Sequence, residues 1–279
     1  MATLASYKQC STSGVRPLDL QLIAQLNIIA PNSLVSFHRL EGVFCGAGVH
    51  PWLQPCAMKT LERAILQYPR LNLIVNSAYR TTAQQFLVWL WFSKQICGIP
   101  MAAEPGLSNH QSGLALDIEN HRSWQLRLEA QHWDWLGSKD PPHFDYTGKG
   151  SKNLKTLSIV SFQSLHNYNH PENRLQEDGV WGKQTEKALL LAPQQGFNRT
   201  PATRLQIAQL EEVYRIPIAS LQQGSKGAEV RRLQRILGLK EDGLFGQKTE
   251  DAVKRWQLQY GLVADGAVGV TTKETLGLA

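Results

Sequence analysis

The chain of 279 residues is 42% hydrophobic and 19% charged, which is the balance of a globular protein with enough apolar side chains for a sizeable core. Because neither a heptad nor a Gly-x-y register persists, a coiled coil and a collagen are excluded. No apolar run reaches the ~18 residues that a membrane span needs, and the first residues show no signal peptide. The net charge of +6 is spread evenly along the chain, so we expect neither a membrane span nor a nucleic-acid partner.

The cysteines all lie within the first hundred residues, at Cys10, Cys45, Cys56 and Cys97. None belongs to a Cys-x-x-Cys pair, so their spacing predicts neither a zinc finger nor a redox motif. Two disulfides, with three connectivities to choose from, and four separate buried thiols are both compatible with this spacing.

Residues 1–150 contain short helical and strand patterns in mixed order. Apolar spacing predicts two helices and three strands, at Met58–Gln67, Leu71–Asn76, Thr81–Cys97, Leu114–Ile118 and His143–Tyr146. These elements do not alternate in the βαβ manner, so we predict an α+β domain with a small mixed or antiparallel sheet and flanking helices. Trp133 and Trp135 also alternate as in a strand. Either can wall a cleft, but core packing is the expected role of both.

The stretch 108–117, Ser-Asn-His-Gln-Ser-Gly-Leu-Ala-Leu-Asp, places one imidazole and one carboxylate seven residues apart, at His110 and Asp117. Gly113 between them allows a turn that brings both side chains to one point. A catalytic zinc site needs three nitrogen or oxygen ligands and one open position, so a third ligand must come from elsewhere. The downstream candidates are His121, His132 and His143.

His143 is the best placed of these candidates because it ends the segment Asp140-Pro-Pro-His143. Proline disfavours helix at the preceding residue, so this segment is predicted to be a stiff, extended approach to a strand. Such a segment can hold the Asp140 carboxylate beside the metal, where it can take and return a proton without being a ligand.

A third motif lies upstream, where Ser77-Ala-Tyr-Arg-Thr81 is followed by Gln85. The three motifs together, over residues 15–150, resemble those of the VanY-like zinc D-alanyl-D-alanine carboxypeptidases and related peptidoglycan endopeptidases. The resemblance implies one Zn²⁺ per chain, and the ligands that it implies are His110, Asp117 and His143. It also implies that Asp140 is the general base and acid, and that Arg80 pairs with a substrate carboxylate. A structural ion pair is the alternative role for Arg80.

The chain departs from this family pattern at three positions. Ala78 and Thr81 replace the usual Gly and Ser, and both changes are mild. Pro141 stands where some relatives have a second histidine, so any transition-state role of that histidine is unfilled here.

Two polar residues near the motifs are further candidates for substrate binding. Gln85 can orient a ligand or a substrate amide, or lie on the exposed face of its helix. Ser108 can bind substrate or cap a turn. Glu119 and Asp145 are weaker candidates for supporting the ligands. Gly-x-Ser-x-Gly, Ser-x-x-Lys and His-Glu-x-x-His motifs are absent, which argues against serine chemistry and a zincin-type site.

The pattern Asp-Gly-x-x-Gly-x-x-Thr occurs three times, at 178–185, 242–249 and 265–272. Glycine accepts a positive φ after Asp, and Thr can cap a following helix, so each copy predicts a turn that leads into a helix. Residues 221–279 contain two copies with apolar residues at helical spacing around them. This segment is therefore predicted to be a small helical module.

The module resembles the peptidoglycan-binding domain that is common in bacterial wall hydrolases. The matching residues include Leu233-Gln234, Asp242-Gly243-x-Phe245-Gly246-x-x-Thr249, Gln257 and Asp265-Gly266-x-Val268-Gly269. The resemblance implies that the module binds peptidoglycan, whereas the residues alone are also compatible with a packing scaffold. Residues 158–192 look like a partial, diverged copy, and residues 193–201 have the composition of a linker.

We therefore expect a zinc peptidase domain at 1–150, a partial repeat and linker at 151–200, and a helical peptidoglycan-binding region at 201–279 with its core at 221–279. The expected activity is zinc-dependent hydrolysis of peptidoglycan stem peptides, by a D-Ala-D-Ala carboxypeptidase or a D-amino-acid-specific endopeptidase. The alternatives are a non-catalytic wall-binding protein on a degenerate peptidase scaffold and a phage-type lysis endopeptidase. We expect a monomer that is secreted or located in the cell envelope, with peptidoglycan as its partner.

Overall fold

The computed structural model describes residues 2–214, 221–260, 262, 264 and 266–278. Within these ranges, no helix is both long and apolar enough to cross a lipid bilayer. Short helices and strands in mixed order build the N-terminal part, and helices build the described C-terminal part. The expected α+β class is confirmed.

A mixed sheet forms the centre of the N-terminal part. The described strands are β1 (Val35–Ser36), β2 (Val43–Cys45), β3 (Trp52–Leu53), β4 (Leu73–Ser77), β5 (Ala115–Ile118), β6 (Trp133–Trp135) and β7 (His143–Tyr146). Five of them are arranged in the order β2-β4-β5-β7-β6, and β1 pairs separately with β3. Strand β2 runs parallel to β4, whereas the other neighbours in the sheet are antiparallel. Strand β5 is therefore the central strand.

Among the described residues, two of the hydrophobic clusters join the flanking helices to this sheet and to one another. The helices are α1 (Arg16–Ile29), α2 (Pro55–Gln67), α3 (Thr82–Ser93), α4 (His121–Glu129), α5 (Lys155–Asn169) and α6 (Lys183–Leu190). Buried residues of α2 and α4 pack with the strands of the sheet in one core. Residues of α1, α3, α5 and α6 form the second core. The partial repeat is therefore packed into the N-terminal part of the molecule.

Two sequence expectations in this region need adjustment. The helix predicted to reach Cys97 ends at Ser93, because Gln95 and Cys97 have positive φ angles that an α-helix does not accommodate. Trp133 is fully buried, and its indole N–H donates to the Thr60 hydroxyl at 3.0 Å. Trp135 is only half-buried, and its indole N–H donates to the Pro141 carbonyl at 2.7 Å. Of the two tryptophans, only Trp133 therefore has the expected role in the core.

The C-terminal part begins with α7 (Arg204–Glu212), which packs against α1. The module that follows contains α8 (Ala228–Ile236), α9 (Gln247–Gln259) and α10 (Val270–Leu276). Its own small core includes Val230, Leu233, Phe245 and Val253. The helical character predicted for residues 221–279 is confirmed in the described residues.

A glutamine from the preceding helix holds each Asp-Gly turn in the same way. Gln163 donates to Asp178 Oδ1 at 2.9 Å and to Thr185 Oγ1 at 3.3 Å, while the Gly179 N–H donates to Gln163 Oε1 at 2.9 Å. The corresponding contacts in the module join Gln234 to Asp242, Gly243 and Thr249, and Gln257 to Gly266 and Thr272. The partial copy at 158–192 therefore has the local geometry of the module.

Replacing Gln234 by Leu is expected to destabilise the C-terminal module by about 1–3 kcal/mol, because buried donors and acceptors of the turn lose their partner. Hydrogen exchange of the backbone amides of the module, followed by mass spectrometry on the full chain in increasing urea, measures the change. Gln259→Leu is the matched control, because Gln259 is exposed on the same module. Equal stability of the two variants would contradict a structural role for Gln234.

The segment predicted to be a linker is packed against the N-terminal residues instead. Leu4 N–H donates to the Ala192 carbonyl, and Gln194 N–H donates to the Ala2 carbonyl, both at 3.0 Å. Gln21 bonds the backbone of Phe197 through both its amide nitrogen and its amide oxygen. Residues 193–201 therefore connect two packed elements and do not form an independent spacer.

Cysteine pairing follows neither of the two expected patterns. Cys10 and Cys97 form a disulfide, which joins residues separated by 87 positions. Cys45 and Cys56 are thiols and are partly buried. The disulfide ties the N-terminal segment to the loop that follows α3.

Removing this disulfide by the Cys10→Ser/Cys97→Ser double substitution is expected to lower the free energy of unfolding by about 2–4 kcal/mol, because a long loop is no longer closed in the unfolded chain. Urea unfolding with and without dithiothreitol provides the measurement. The reductant should shift the midpoint of the wild type and leave the double variant unchanged. A wild type that is insensitive to reductant would contradict the pairing.

Candidate metal centre

A tight turn and two paired strands bring together the three ligands that the resemblance implies. His110 lies in a short 3-10 turn, Asn109–Ser112, which ends at Gly113 with φ of 63°. A Cβ at Gly113 would lie 2.6 Å from Leu34, so this position requires glycine for both conformation and space. Asp117 on β5 faces its register partner His143 on the adjacent strand β7. The antiparallel pairing therefore aligns the second and third ligands.

The side chains of His110, Asp117 and His143 converge on one point. His110 Nε2 lies 3.2 Å from Asp117 Oδ1, and His143 Nδ1 lies 2.9 Å from the same oxygen. One ligand atom from each residue lies within 4.8 Å of the other two. This spacing and the N/O donor set fit a divalent metal ion such as zinc.

The outer nitrogen of each histidine is held by a separate partner. His110 Nδ1 donates to the Ala78 carbonyl at 2.7 Å, which directs the buried Nε2 towards Asp117. His143 Nε2 lies 3.0 Å from Asp145 Oδ1, and Asn109 also donates to this oxygen at 2.9 Å. Such outer contacts fix ring orientation and tautomer in metal sites. The residues therefore fit a metal ion with His110 Nε2 and His143 Nδ1 as the coordinating nitrogens.

Arg80 lies beside the same carboxylate. Its guanidinium donates to Asp117 Oδ2, and its Nε donates to Ser77 Oγ at 2.7 Å. Because Arg80 contacts Oδ2, the Oδ1 oxygen is the one that faces both histidines. The cationic guanidinium therefore stands at the edge of the candidate site, within the same cleft.

The charges in the site shift the pKa values of its groups in opposite directions. Burial raises the pKa of Asp117, but His110, Arg80 and the hydrogen bonds from both histidines hold it well below the usual range. Burial lowers the pKa of His110. Burial also lowers the pKa of His143, but its contacts with Asp117 and Asp145 outweigh this and raise the value to about 10. The lowered pKa of Asp117 keeps its carboxylate ionised, which is the form that can bind a metal ion.

Asp140 lies at the start of the turn that leads into β7. Its carbonyl accepts a hydrogen bond from the His143 N–H at 3.0 Å, so the segment predicted to be fully extended closes a turn over the two prolines. The side chain is half-buried and borders the same cleft as Arg80 and His143. Burial, followed by the nearby Asp117 carboxylate, raises the pKa of Asp140. Such a shift brings a carboxyl group closer to the range useful for proton transfer near neutral pH.

The other candidate residues occupy different environments. Gln85 is fully buried and donates to the Ala103 carbonyl at 2.7 Å, so it holds a loop and does not lie on the exposed face of its helix. Ser108 borders the cleft and also caps the His110 turn, accepting a bond from the His110 N–H. His121 stacks on Trp135, and His132 is exposed. Neither of these two histidines belongs to the ligand cluster among the described residues.

Asp145 is the supporting residue that the sequence identified only weakly. It lies two positions after His143 on β7, and residues two apart on a strand project from the same face. The spacing of two residues from His143 could therefore have favoured Asp145 over Glu119 as the residue that supports the ligands. The role of the Ala78 carbonyl could not be predicted in this way, because every residue has a backbone carbonyl and the type of residue does not show which one binds a side chain.

The cleft in front of these residues has a volume of about 1160 Å³. The metal-ligand set, Arg80 and Asp140 form its polar side. Apolar residues of α3 and the following loop, including Trp91, Met101 and Leu107, form another side. Residues of α9 also border the cavity. A His-Asp-His set with a neighbouring carboxylate at the edge of an open cleft is compatible with a mononuclear metallohydrolase site.

Comparison with known proteins identifies the families to which the two parts are related. Residues 53–149 match the VanY family model, described as "D-alanyl-D-alanine carboxypeptidase". Residues 226–276 match the model PG_binding_1, described as "Putative peptidoglycan binding domain". The chain thus carries a VanY-like domain followed by a C-terminal peptidoglycan-binding domain, and both resemblances noted in the sequence are confirmed.

Three curated relatives match parts of the chain. A "Probable N-acetylmuramoyl-L-alanine amidase" of Bacillus licheniformis is 34% identical over 141 residues, which are 46% of this chain and 36% of the relative. The "N-acetylmuramoyl-L-alanine amidase CwlL" of the same organism is 33% identical over 36% of this chain and 30% of the relative. A "Zinc D-Ala-D-Ala carboxypeptidase" of Streptomyces albus G is 46% identical over 19% of this chain and 24% of its own length. The chain therefore spans about a third or less of each relative.

Proposed function

We propose that this chain is a zinc-dependent peptidase that hydrolyses peptide bonds in the stem peptides of peptidoglycan. The observation that carries the proposal is the convergence of His110, Asp117 and His143 on one cleft, within the segment that matches the VanY family. The name of the Streptomyces relative supports zinc as the metal. We propose one ion per chain, because one such cluster is present among the described residues.

The two histidines and Asp117 would hold the ion through His110 Nε2, Asp117 Oδ1 and His143 Nδ1. Zinc bound there would supply Lewis-acid activation of a water molecule and of the scissile carbonyl. The Ala78 carbonyl and Asp145 would keep the two imidazole rings in the required orientation.

Asp140 supplies proton transfer in this proposal. Its carboxylate takes a proton from the attacking water and delivers it to the nitrogen of the leaving amine. The half-buried position and the raised pKa of Asp140 support this role. The proline at position 141, where some relatives have a histidine, leaves Asp140 as the proposed proton carrier of this segment.

Arg80 supplies substrate binding in this proposal. A guanidinium offers a planar pair of donors that suits a carboxylate, such as the C-terminal group of a stem peptide. Its Nε donates to Ser77 and its Nη2 donates to Asp117, so the remaining N–H groups of Nη1 and Nη2 are the donors that would meet a substrate carboxylate. Ser108 borders the same cleft and is a second proposed contact with substrate.

The C-terminal domain would bind peptidoglycan and keep the peptidase close to its substrate. Because the bound domain would keep the peptidase domain at the wall, the peptidase would meet stem peptides at a higher effective concentration than it would free in solution. This places the proposed site of action in the cell wall, either outside a bacterial cell or during phage lysis. We propose that the protein acts as a monomer, since all the proposed site residues come from one chain.

Mass spectrometry of defined muropeptides after incubation with the purified protein tests this proposal, with a chelator-treated sample as the control. Chelator-sensitive loss of one terminal D-Ala from pentapeptides would support carboxypeptidase action and a carboxylate partner for Arg80. Cleavage within stems or cross-links would support endopeptidase action. Release of whole stems from muramic acid would identify an amidase instead, and no product despite bound zinc would favour a non-catalytic wall-binding protein.

A further inference from the structure

A buried polar network lies behind the segment that carries Arg80, between the Tyr79 bridge and the start of α3. Asp19 on α1 and His50 are both almost completely excluded from solvent, with exposures of 0% and 1%, and His50 Nε2 lies 3.0 Å from Asp19 Oδ2. The Thr81 hydroxyl donates to Asp19 Oδ1, and the Tyr214 hydroxyl contacts His50 Nδ1. Asp19, His50 and Tyr214 lie outside the 53–149 segment that matches the VanY family.

Burial of a carboxyl group and an imidazole is costly unless each polar atom finds a partner. None of Asp19, His50 and Tyr214 borders the cleft, so contact with substrate does not explain their presence. They are also separate from the His110, Asp117 and His143 cluster. The network therefore has a function in the interior of the domain, and its contacts show which segment it holds.

The contacts of the network reach both neighbours of Arg80. On one side, Tyr79 pairs with His50 in an isolated antiparallel bridge. On the other side, Thr81 donates to Asp19 and caps α3 by accepting from the Gln84 N–H at 3.2 Å. The Arg80 N–H itself donates to the His110 carbonyl at 3.1 Å. The backbone of residues 79–81 is thus fixed from the interior, while the Arg80 side chain extends into the cleft.

We infer that Asp19 and His50 are positioning residues, which set the Arg80 guanidinium against Ser77 and the mouth of the site. The kinetic test of this role rests on the proposed function, because it requires a peptidase activity that can be measured. Loss of the Asp19 carboxyl leaves the Thr81 hydroxyl and His50 Nε2 without their partner. Residues 79–81 can then shift, and a shift of about 1 Å at a group that orients substrate is enough to cost up to about a hundredfold in rate.

The kinetic test is a double-mutant cycle between Asp19→Ala and Arg80→Ala on the zinc-loaded full chain, with a muropeptide substrate. Asp19→Ala is expected to lower kcat/KM about ten- to a hundredfold, mainly through KM, with unchanged zinc content. In the Arg80→Ala background the same substitution should change kcat/KM less than about twofold. Multiplicative effects of the two substitutions would show that Asp19 acts independently of Arg80 and would overturn the inference.

Milder variants and a stability control distinguish the loss of positioning from a general loss of stability. Thr81→Val removes the hydroxyl that reaches Asp19 and should reproduce the KM effect, whereas Thr81→Ser keeps the hydroxyl and should restore a value near that of the wild type. Thr60→Val is the matched control, because it removes a buried hydroxyl that is bonded to Trp133 and remote from residues 79–81. It should lower the melting temperature without changing KM, and an equal KM effect would overturn the inference.

A measurement that needs no catalytic turnover tests the positioning role independently of the proposed peptidase activity. The Arg80 side-chain Nε–H is bonded to Ser77 Oγ, and its hydrogen exchange rate can be followed by NMR on the full chain. Asp19→Ala should accelerate this exchange by about tenfold or more, because the bond to Ser77 weakens. Acceleration in a protein that cleaves no muropeptide would support the positioning role while rejecting the peptidase. An unchanged exchange rate would overturn the positioning role whatever the activity.

Discussion

Asp140→Ala is expected to bind zinc like the wild type and to lose about 10²–10⁴-fold in kcat. Asp140 is not a member of the ligand cluster, so the metal should be retained. It borders the cleft beside His143 and has a pKa raised by burial and by the Asp117 carboxylate. Removal of its carboxylate therefore removes the proposed acceptor of the water proton and the proposed donor to the leaving amine. Kinetics on muropeptides and zinc analysis of the same sample measure both parts of the prediction.

Two further variants make this test specific for proton transfer. Asp140→Asn keeps the size and polarity of the side chain but cannot carry the proton, so it should be as inactive as Asp140→Ala. Asp134→Ala removes an exposed carboxylate from strand β6, outside the cleft, and should keep the activity of the wild type. An Asp140→Asn variant with near-normal kcat would reject Asp140 as the proton carrier, whereas loss of zinc would show that it supports the metal.

The local parts of the fold and the site could be predicted because their signals are local. The spacing of His110, Gly113 and Asp117 marks a turn that leads into a strand, and the structure shows a 3-10 turn followed by β5. The helix at Pro55–Gln67 and the strand His143–Tyr146 follow directly from apolar spacing. The Asp-Gly turns were equally accessible, because they require the positive φ that glycine accepts. The predicted Thr cap was wrong: Gly182 and Gly246 are the N-cap residues and carry no side-chain cap, whereas Thr185 and Thr249 accept hydrogen bonds from the glutamines that hold the turns.

The remaining features depend on contacts between distant parts of the chain. Pairing of Asp117 with His143 is a matter of strand register, and no spacing rule reports which strands become neighbours. The partner of Cys10 could not be deduced for the same reason. Residues 193–201 have the composition of a linker, yet Gln21 fixes Phe197 from across the structure. The buried Asp19 and His50 lack any motif, so their role could be seen only once their partners were known.

His110→Ala is expected to weaken zinc binding more than about a hundredfold, and thereby to abolish zinc-dependent activity. His110 supplies one of three ligand atoms, and its ring is fixed by the Ala78 carbonyl so that Nε2 faces Asp117. Loss of the partner of a ligand already costs about 10–100-fold in metal affinity, so loss of the ligand itself should cost more. Competition with a chromophoric chelator measures the affinity, and elemental analysis after dialysis measures retained zinc.

A graded series distinguishes coordination from general damage to the site. Asp145→Ala removes only the partner of His143 Nε2 and should weaken zinc binding about 10–100-fold. His121→Ala removes a histidine that stacks on Trp135 outside the cluster, so its zinc affinity should equal that of the wild type. The expected order of affinity is therefore His121→Ala, then Asp145→Ala, then His110→Ala. A fully metallated His110→Ala variant would remove His110 from the ligand set, and zinc loss in His121→Ala would show that the ion is held by a different group of residues.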